Sequence, residues 1–137
     1  NEKILSENKL ENFAKIAVEN YIHNFDIYKL DLAANEVLSL AINTNLYLND
    51  NQPWMLIKEE DNLPLVKEII YNVLESTRII GLLLLPLLPE LSSKINEQLG
   101  STYKEEIPWK QQLRWGLLIS DSNLPEPIPI IKKLEYE

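Results

Sequence analysis

Between residues 7 and 24 the chain runs ENKLENFAKIAVENYIHN. Leu10, Phe13, Ile16, Ala17 and Ile22 recur there at helical spacing, which sets side chains on one face. A first helix is predicted, with that face buried. Asn24 or Asp26 then marks a boundary and the N-cap of the next helix. A second helix is predicted over residues 27–48. At about 100° per residue, Val37, Leu38, Ala41 and Leu48 fall in one stripe, and Asn45 sits in the middle of it. An amide on an apolar face has to be satisfied. Asn45 is therefore expected to tie down the backbone of the turn that follows.

Pro53 is expected to stop this helix, since its predecessor is pushed toward extended geometry. Trp54 comes next, where a helix has to end. The indole either plugs the core beneath the loop or is held out as a flat surface for a partner, and the pattern leaves both open. The stretch DNLP, residues 61–64, is a start signal, with Pro64 in the first turn. A third helix is predicted to about Leu85, its broad apolar face made by Val66, Ile69, Ile70, Val73, Thr77, Ile80 and Leu84. Pro86 breaks it. Pro89 opens a fourth, shorter helix that closes at Gly100, a residue suited to a left-handed C-cap. Beyond Ser101 no clean period persists, and Pro125, Pro127 and Pro129 in NLPEPIPIIKKLE point to an extended tail laid along a surface. No strand alternation and no long internal repeat occurs. The expected fold is all-α: an antiparallel helix bundle over residues 1–100, followed by an irregular C-terminal arm over 101–137.

Composition narrows the chemistry. A length of 137 residues with 45 % apolar content suits one domain with a core. The absence of cysteine excludes disulfides and thiolate metal sites. His23, the sole histidine, cannot build a metal site alone and is expected at the surface or its boundary. No glycine-rich phosphate loop and no metal-ligand cluster is present, so no catalytic residue and no metal is assigned. The acidic runs at 58–61 and 103–106 are expected to be solvated loop charge. The apolar run from Ile79 to Leu88 is too short to cross a bilayer. The formal net charge of −8 has the wrong sign for a free-standing nucleic-acid binder. The chain starts without methionine, at a polar stretch, and a processed chain or a cut fragment is expected.

The order of several short motifs resembles one family. NTNLYLNDNQPW carries Asn45, Tyr47, Pro53 and Trp54 at the spacing found in the anticodon-binding domain of methionyl-tRNA synthetases. Further on, Leu74, Arg78, Ile79, Leu85, Pro86, Pro89, Leu99 and Gly100 resemble that family's next conserved block. Trp115-Gly116 and PIPIIKKLE resemble its last two elements. Leucyl, isoleucyl, valyl and cysteinyl enzymes share the bundle type, but the Pro-Trp pair points to the methionyl branch.

The resemblance implies a class I synthetase-type helix bundle that reads the CAU anticodon of tRNA(Met). It gives Trp54, backed by Pro53, the role of stacking on the first anticodon base. It implies a parent ligase that attaches methionine to tRNA using ATP in the cytoplasm. The nucleotide motifs, the zinc knuckle and a first bundle helix with an Asn and an Arg are not found here, so these 137 residues need no cofactor and the ATP belongs to a catalytic domain elsewhere. The implied partners are the tRNA(Met) anticodon and that catalytic domain, with neither DNA nor a membrane, and the arm packs back on the enzyme. Asn45, Tyr47 and Arg78 are supporting residues. Arg78 is expected to pair with an acid on a neighbouring helix rather than to touch an RNA phosphate. Tyr47 is expected to pack at the core boundary, and Trp109 and Trp115 to anchor the tail. A helical protein–protein interaction module, or the anticodon-binding domain of another class I synthetase, are the alternatives.

Overall fold

A computed structural model describes residues 9–100 and 103–118. Six α-helices follow one another: α1 (Lys9–Asp26), α2 (Leu30–Asn51), α3 (Pro53–Leu56), α4 (Leu63–Leu84), α5 (Pro89–Leu99) and α6 (Trp109–Gln112), with a 3₁₀ turn at Glu60–Asn62 before α4. No strand occurs among the described residues. The predicted tail at residues 123–135 lies outside them, as do residues 7 and 8 of the first predicted helix.

The bundle is organised around α4, which packs against α1, α2 and α5. Every residue from Asn72 to Leu83 is buried. The predicted apolar face is therefore incomplete: the helix is covered on all sides, and its polar positions Asn72, Glu75, Ser76, Thr77 and Arg78 are buried with the apolar ones. Phase is where the other helices depart from the sequence reading. On α1 the buried residues are Leu10, Ala14, Ala17 and Tyr21, at steps of four, three and four. Phe13 and Ile16, expected inside, are exposed. Two alanines let the helices approach closely, and packing follows that seam rather than the larger side chains. On α2 the buried line is Ala33, Val37, Leu40, Thr44 and Leu48, and Leu38 is 58 % exposed. Thr44 is accommodated because its hydroxyl donates to Leu40 O at 2.7 Å and pairs with the Ser76 hydroxyl of α4 at 2.7 Å.

Neither Asn24 nor Asp26 caps the second helix. α1 runs through both, Tyr28 turns the chain with φ of 63°, and Lys29 stands at the N-cap without a side-chain bond. The α5 end follows expectation: Gly100 has φ of 68° and its N–H reaches the carbonyls of Asn96 and Glu97.

The C-terminal end of α4 shows how the bundle closes. A helix leaves its last four carbonyls without intrahelical donors. Here Gly81 O accepts from the Ser92 hydroxyl at 2.5 Å, Leu82 O from the Trp109 indole N–H at 2.8 Å, and Leu83 O from the Tyr21 hydroxyl at 2.7 Å. Leu84 O accepts from the N–H groups of Leu87 and Leu88. Three elements, α5, α6 and α1, thus each dock one donor on consecutive residues. Gly81 is needed for closeness as well: a Cβ there would lie 3.0 Å from Ile95 Cγ2.

Burial pushes the Tyr21 hydroxyl up to about 12. Burial raises Tyr47 and Tyr71 as well, each with smaller contributions from neighbouring groups. A tyrosine whose pKa is higher folded than unfolded contributes stability that is complete below the unfolded value near 10, and that is lost as pH climbs through the folded value. The bundle is therefore expected to hold its alkaline stability to about pH 10 and to lose it between roughly pH 10 and 12. In Tyr21→Phe that loss should be shallower, on a lower starting stability because Leu83 O loses its donor. Urea unfolding across that pH range checks both.

Candidate functional site

The turn after α2 is built by three amides and one proline. Gln52 adopts a left-handed conformation, φ 45° and ψ 63°, and its N–H bonds Leu48 O. Pro53 then opens α3 at a position where a missing N–H costs nothing. So Pro53 begins the new turn, and the reversal itself happens at Gln52. Asn51 Nδ2 donates to Tyr47 O at 2.8 Å, and Asn62 Nδ2 donates to Leu56 O at 3.1 Å. These two amides brace the turn from either side.

Pro53 is buried and Trp54 is 40 % exposed. Trp54 has no hydrogen bond and no ring contact with a described residue. Trp109 and Trp115, by contrast, are packed against the main core; Trp109 also lies 5.9 Å from the Tyr21 ring. Trp54 is therefore partly exposed rather than enclosed by the core, with Met55 and Ile57 exposed beside it. In sequence the turn is flanked by one cation, Lys58, and by Asp50, Glu59, Glu60 and Asp61, so the segment that carries Trp54 is acidic.

Tyr47 is half-buried, packs against the core, and accepts a hydrogen bond from Asn72 Nδ2 at 2.9 Å. Asn45 departs from its expected part. Its Oδ1 is buried without a partner, and the bonds it was expected to make to the turn are made by Asn51 and Asn62. Position explains this: a side-chain amide reaches the carbonyl four residues before it, and Asn51, the last residue of α2, reaches Tyr47 O that way. Asn45→Ala should accordingly change the unfolding free energy of the 137-residue chain by less than about 1 kcal/mol, since no hydrogen bond is lost; a larger loss in urea melts would contradict that.

Arg78 does have an acid, but on its own helix. Its Nε and Nη2 donate to Glu75 Oε1 and Oε2 at 2.6 and 2.8 Å. Its Nη1 reaches Gln112 O at 2.6 Å and its Nη2 reaches Arg114 O at 2.7 Å. Glu75 also accepts from the N–H groups of Gly116 and Leu117. The last residue of α6 and the turn after it supply carbonyls in place of the expected carboxylate from a neighbouring helix. The pair clamps residues 112–117 onto the middle of α4, where Gly116 takes φ of 97°, a value that favours glycine. Gln112 extends the clamp by bonding Lys104 and Ile107. Glu75 escaped the sequence reading; the available signal was an acid three residues before Arg78 inside an otherwise apolar helix.

The family model for the anticodon-binding domain of methionyl-tRNA ligase matches residues 2–135. The chain belongs to this family. It is 34 % identical to a methionine–tRNA ligase of Nostoc sp. over 98 % of its own length and 26 % of that protein. It is 36 % identical to one of Synechocystis sp. over 75 % of this chain and 21 % of the relative, and 35 % identical to one of Caldanaerobacter subterraneus over 88 % and 18 %. The chain thus spans about a quarter or less of the curated relatives it matches. Of the residues of the Pro-Trp motif and its support, Pro53 and Arg78 are buried, Tyr47 lies at the boundary and Trp54 is partly exposed. Among the described residues no helix is long and apolar enough to cross a membrane.

Proposed function

We propose that this domain binds the CAU anticodon of tRNA(Met) and that Trp54 stacks on the first anticodon base. The observation that carries the reading is the exposed indole on a turn fixed by buried Pro53, at the family's Pro-Trp position. Anticodon bases are single-stranded with open π-faces, and an aromatic platform contributes about 1–3 kcal/mol per base. A rigid turn makes the platform cheap to use, because little order is lost on binding. Pro53 limits the turn, Asn51 and Asn62 brace it, and Tyr47 seats the end of α2 below it.

The parent protein is then a ligase that joins methionine to tRNA(Met) with ATP in the cytoplasm, its catalytic domain supplying the chemistry and much of the basic surface. The acidic balance of these residues fits that division: backbone phosphate contacts come largely from elsewhere. Titration of the full-length protein with tRNA(Met) tests the reading. Salt-dependent binding that weakens in Trp54→Ala supports it, and equal affinity in the two proteins refutes it. The 137-residue chain alone is expected to form no methionyl adenylate and to hydrolyse no ATP, since it lacks the nucleotide motifs. Pyrophosphate exchange above background with the purified chain would contradict this.

A further inference from the structure

The turn that carries Trp54 contains three side-chain amides, and two of them brace it. Asn51 Nδ2 bonds Tyr47 O and Asn62 Nδ2 bonds Leu56 O. The third, on Gln52, is exposed and makes no hydrogen bond with a described residue. The main chain of Gln52 is fixed all the same. Its N–H donates to Leu48 O at 3.0 Å, and its carbonyl accepts from the N–H groups of Met55 and Leu56 at 2.9 and 3.2 Å. Buried Pro53 follows it. These contacts hold Gln52 at φ 45° and ψ 63°, a left-handed geometry in which a Cβ is crowded and glycine is at ease. The turn would form at least as well with glycine here. A free glutamine amide at such a position points to a contact outside the fold.

Location selects the partner. Gln52 stands two residues before Trp54, and two residues of chain span at most about 7 Å. A base lying on the indole brings its edge and its ribose within reach of a side chain as long as glutamine. Stacking accepts any base, since each has a π-face, so the polar groups of the nucleotide are left for another residue to meet. Charge disfavours the phosphate: Asp50, Glu59, Glu60 and Asp61 outnumber Lys58 in this segment and repel an anion. An amide is neutral and carries a donor and an acceptor side by side. Its match is a neutral group that also donates and accepts, either the Watson–Crick edge of a base or the ribose 2′-hydroxyl.

We infer that Gln52 hydrogen-bonds the nucleotide that stacks on Trp54, through its base edge or its 2′-hydroxyl. This contact rests on the reading of Trp54 given above and adds a polar grip to the stack. On a cytosine edge Oε1 accepts from the 4-amino group while Nε2 donates to N3. On the ribose the amide exchanges one hydrogen bond with the hydroxyl.

The test compares wild type, Gln52→Gly and Gln52→Met as full-length proteins. Each is titrated with three forms of tRNA(Met): unaltered, with 2-pyrimidinone (cytosine without its 4-amino group) at the first anticodon position, and with 2′-deoxycytidine there. On unaltered RNA both variants should bind about three- to tenfold more weakly, the loss of a neutral hydrogen bond. On one of the two altered RNAs that difference should disappear, which identifies the group that Gln52 meets. The urea midpoint of Gln52→Gly should be no lower than that of wild type, because glycine relieves the left-handed backbone. Wild-type affinity in both variants would overturn the inference. So would a loss of the same size on all three RNAs, which means that Gln52 acts through the turn. Trp54→Ala, titrated beside them, keeps the two readings apart. If it weakens binding while the Gln52 variants do not, the contact of Gln52 alone fails; if it binds as wild type does, stacking fails and the contact built on it falls too.

Discussion

Arg78→Ala is expected to destabilise the domain by about 3–5 kcal/mol, the cost of leaving one member of a buried ion pair without its partner. Glu75 would stay fully buried with its charge, and the carbonyls of Gln112 and Arg114 would lose their donors together. Relaxation is limited, since Glu75 is also held by Gly116 and Leu117 and turning outward would release the arm. Arg78→Lys should recover only part of the loss: a single ammonium cannot engage two carboxylate oxygens and two carbonyls in one plane. The measurement is urea unfolding followed by tryptophan fluorescence, with Trp109 and Trp115 reporting the arm. Because Arg78 is buried with four bonds inside the fold, protein that remains folded should bind tRNA as before. A loss below about 1 kcal/mol would contradict the clamp, and lost RNA affinity at intact stability would mean that Arg78 acts on RNA.

Trp54→Ala is expected to act mainly on RNA binding. Unfolding free energy should fall by less than in Arg78→Ala, by about 1–2 kcal/mol, because Trp54 is 40 % exposed and loses only the covered part of its contact surface. Affinity of the full-length protein for tRNA(Met) should fall by about 1–3 kcal/mol, or roughly 5- to 150-fold. Trp54→Phe should lose less, keeping a smaller aromatic face. The aminoacylation kcat/KM should fall by at least as much if anticodon binding also positions the acceptor end for reaction.

The helices were legible because proline and glycine punctuate them: Pro53, Pro64, Pro89 and Gly100 each stand within a residue or two of an observed boundary. The buried faces were harder. Large residues dominate a periodicity reading, whereas the bundle closes along Ala14, Ala17 and Ala33, where small side chains permit contact. Phe13, Ile16 and Leu38 were misplaced for that reason. The Pro-Trp turn was visible as a motif, but the left-handed Gln52 that makes the turn carries no sequence signature. The Arg78 partner was mistaken because a tertiary contact was assumed where an i,i+3 neighbour was available. Asn45 was assigned by face alone, and face does not decide which amide reaches an open carbonyl.

The pairing of Trp54 with the first anticodon base is tested most directly by a double-mutant cycle on the full-length protein. Affinities are measured for wild type and Trp54→Ala, each with intact tRNA(Met) and with tRNA(Met) made abasic at the first anticodon position. If the indole stacks on that base, either change alone costs about 1–3 kcal/mol and the second adds little, giving a coupling energy of about 1–3 kcal/mol. Additive losses, with coupling near zero, would show that Trp54 and the base act independently and would contradict the assignment.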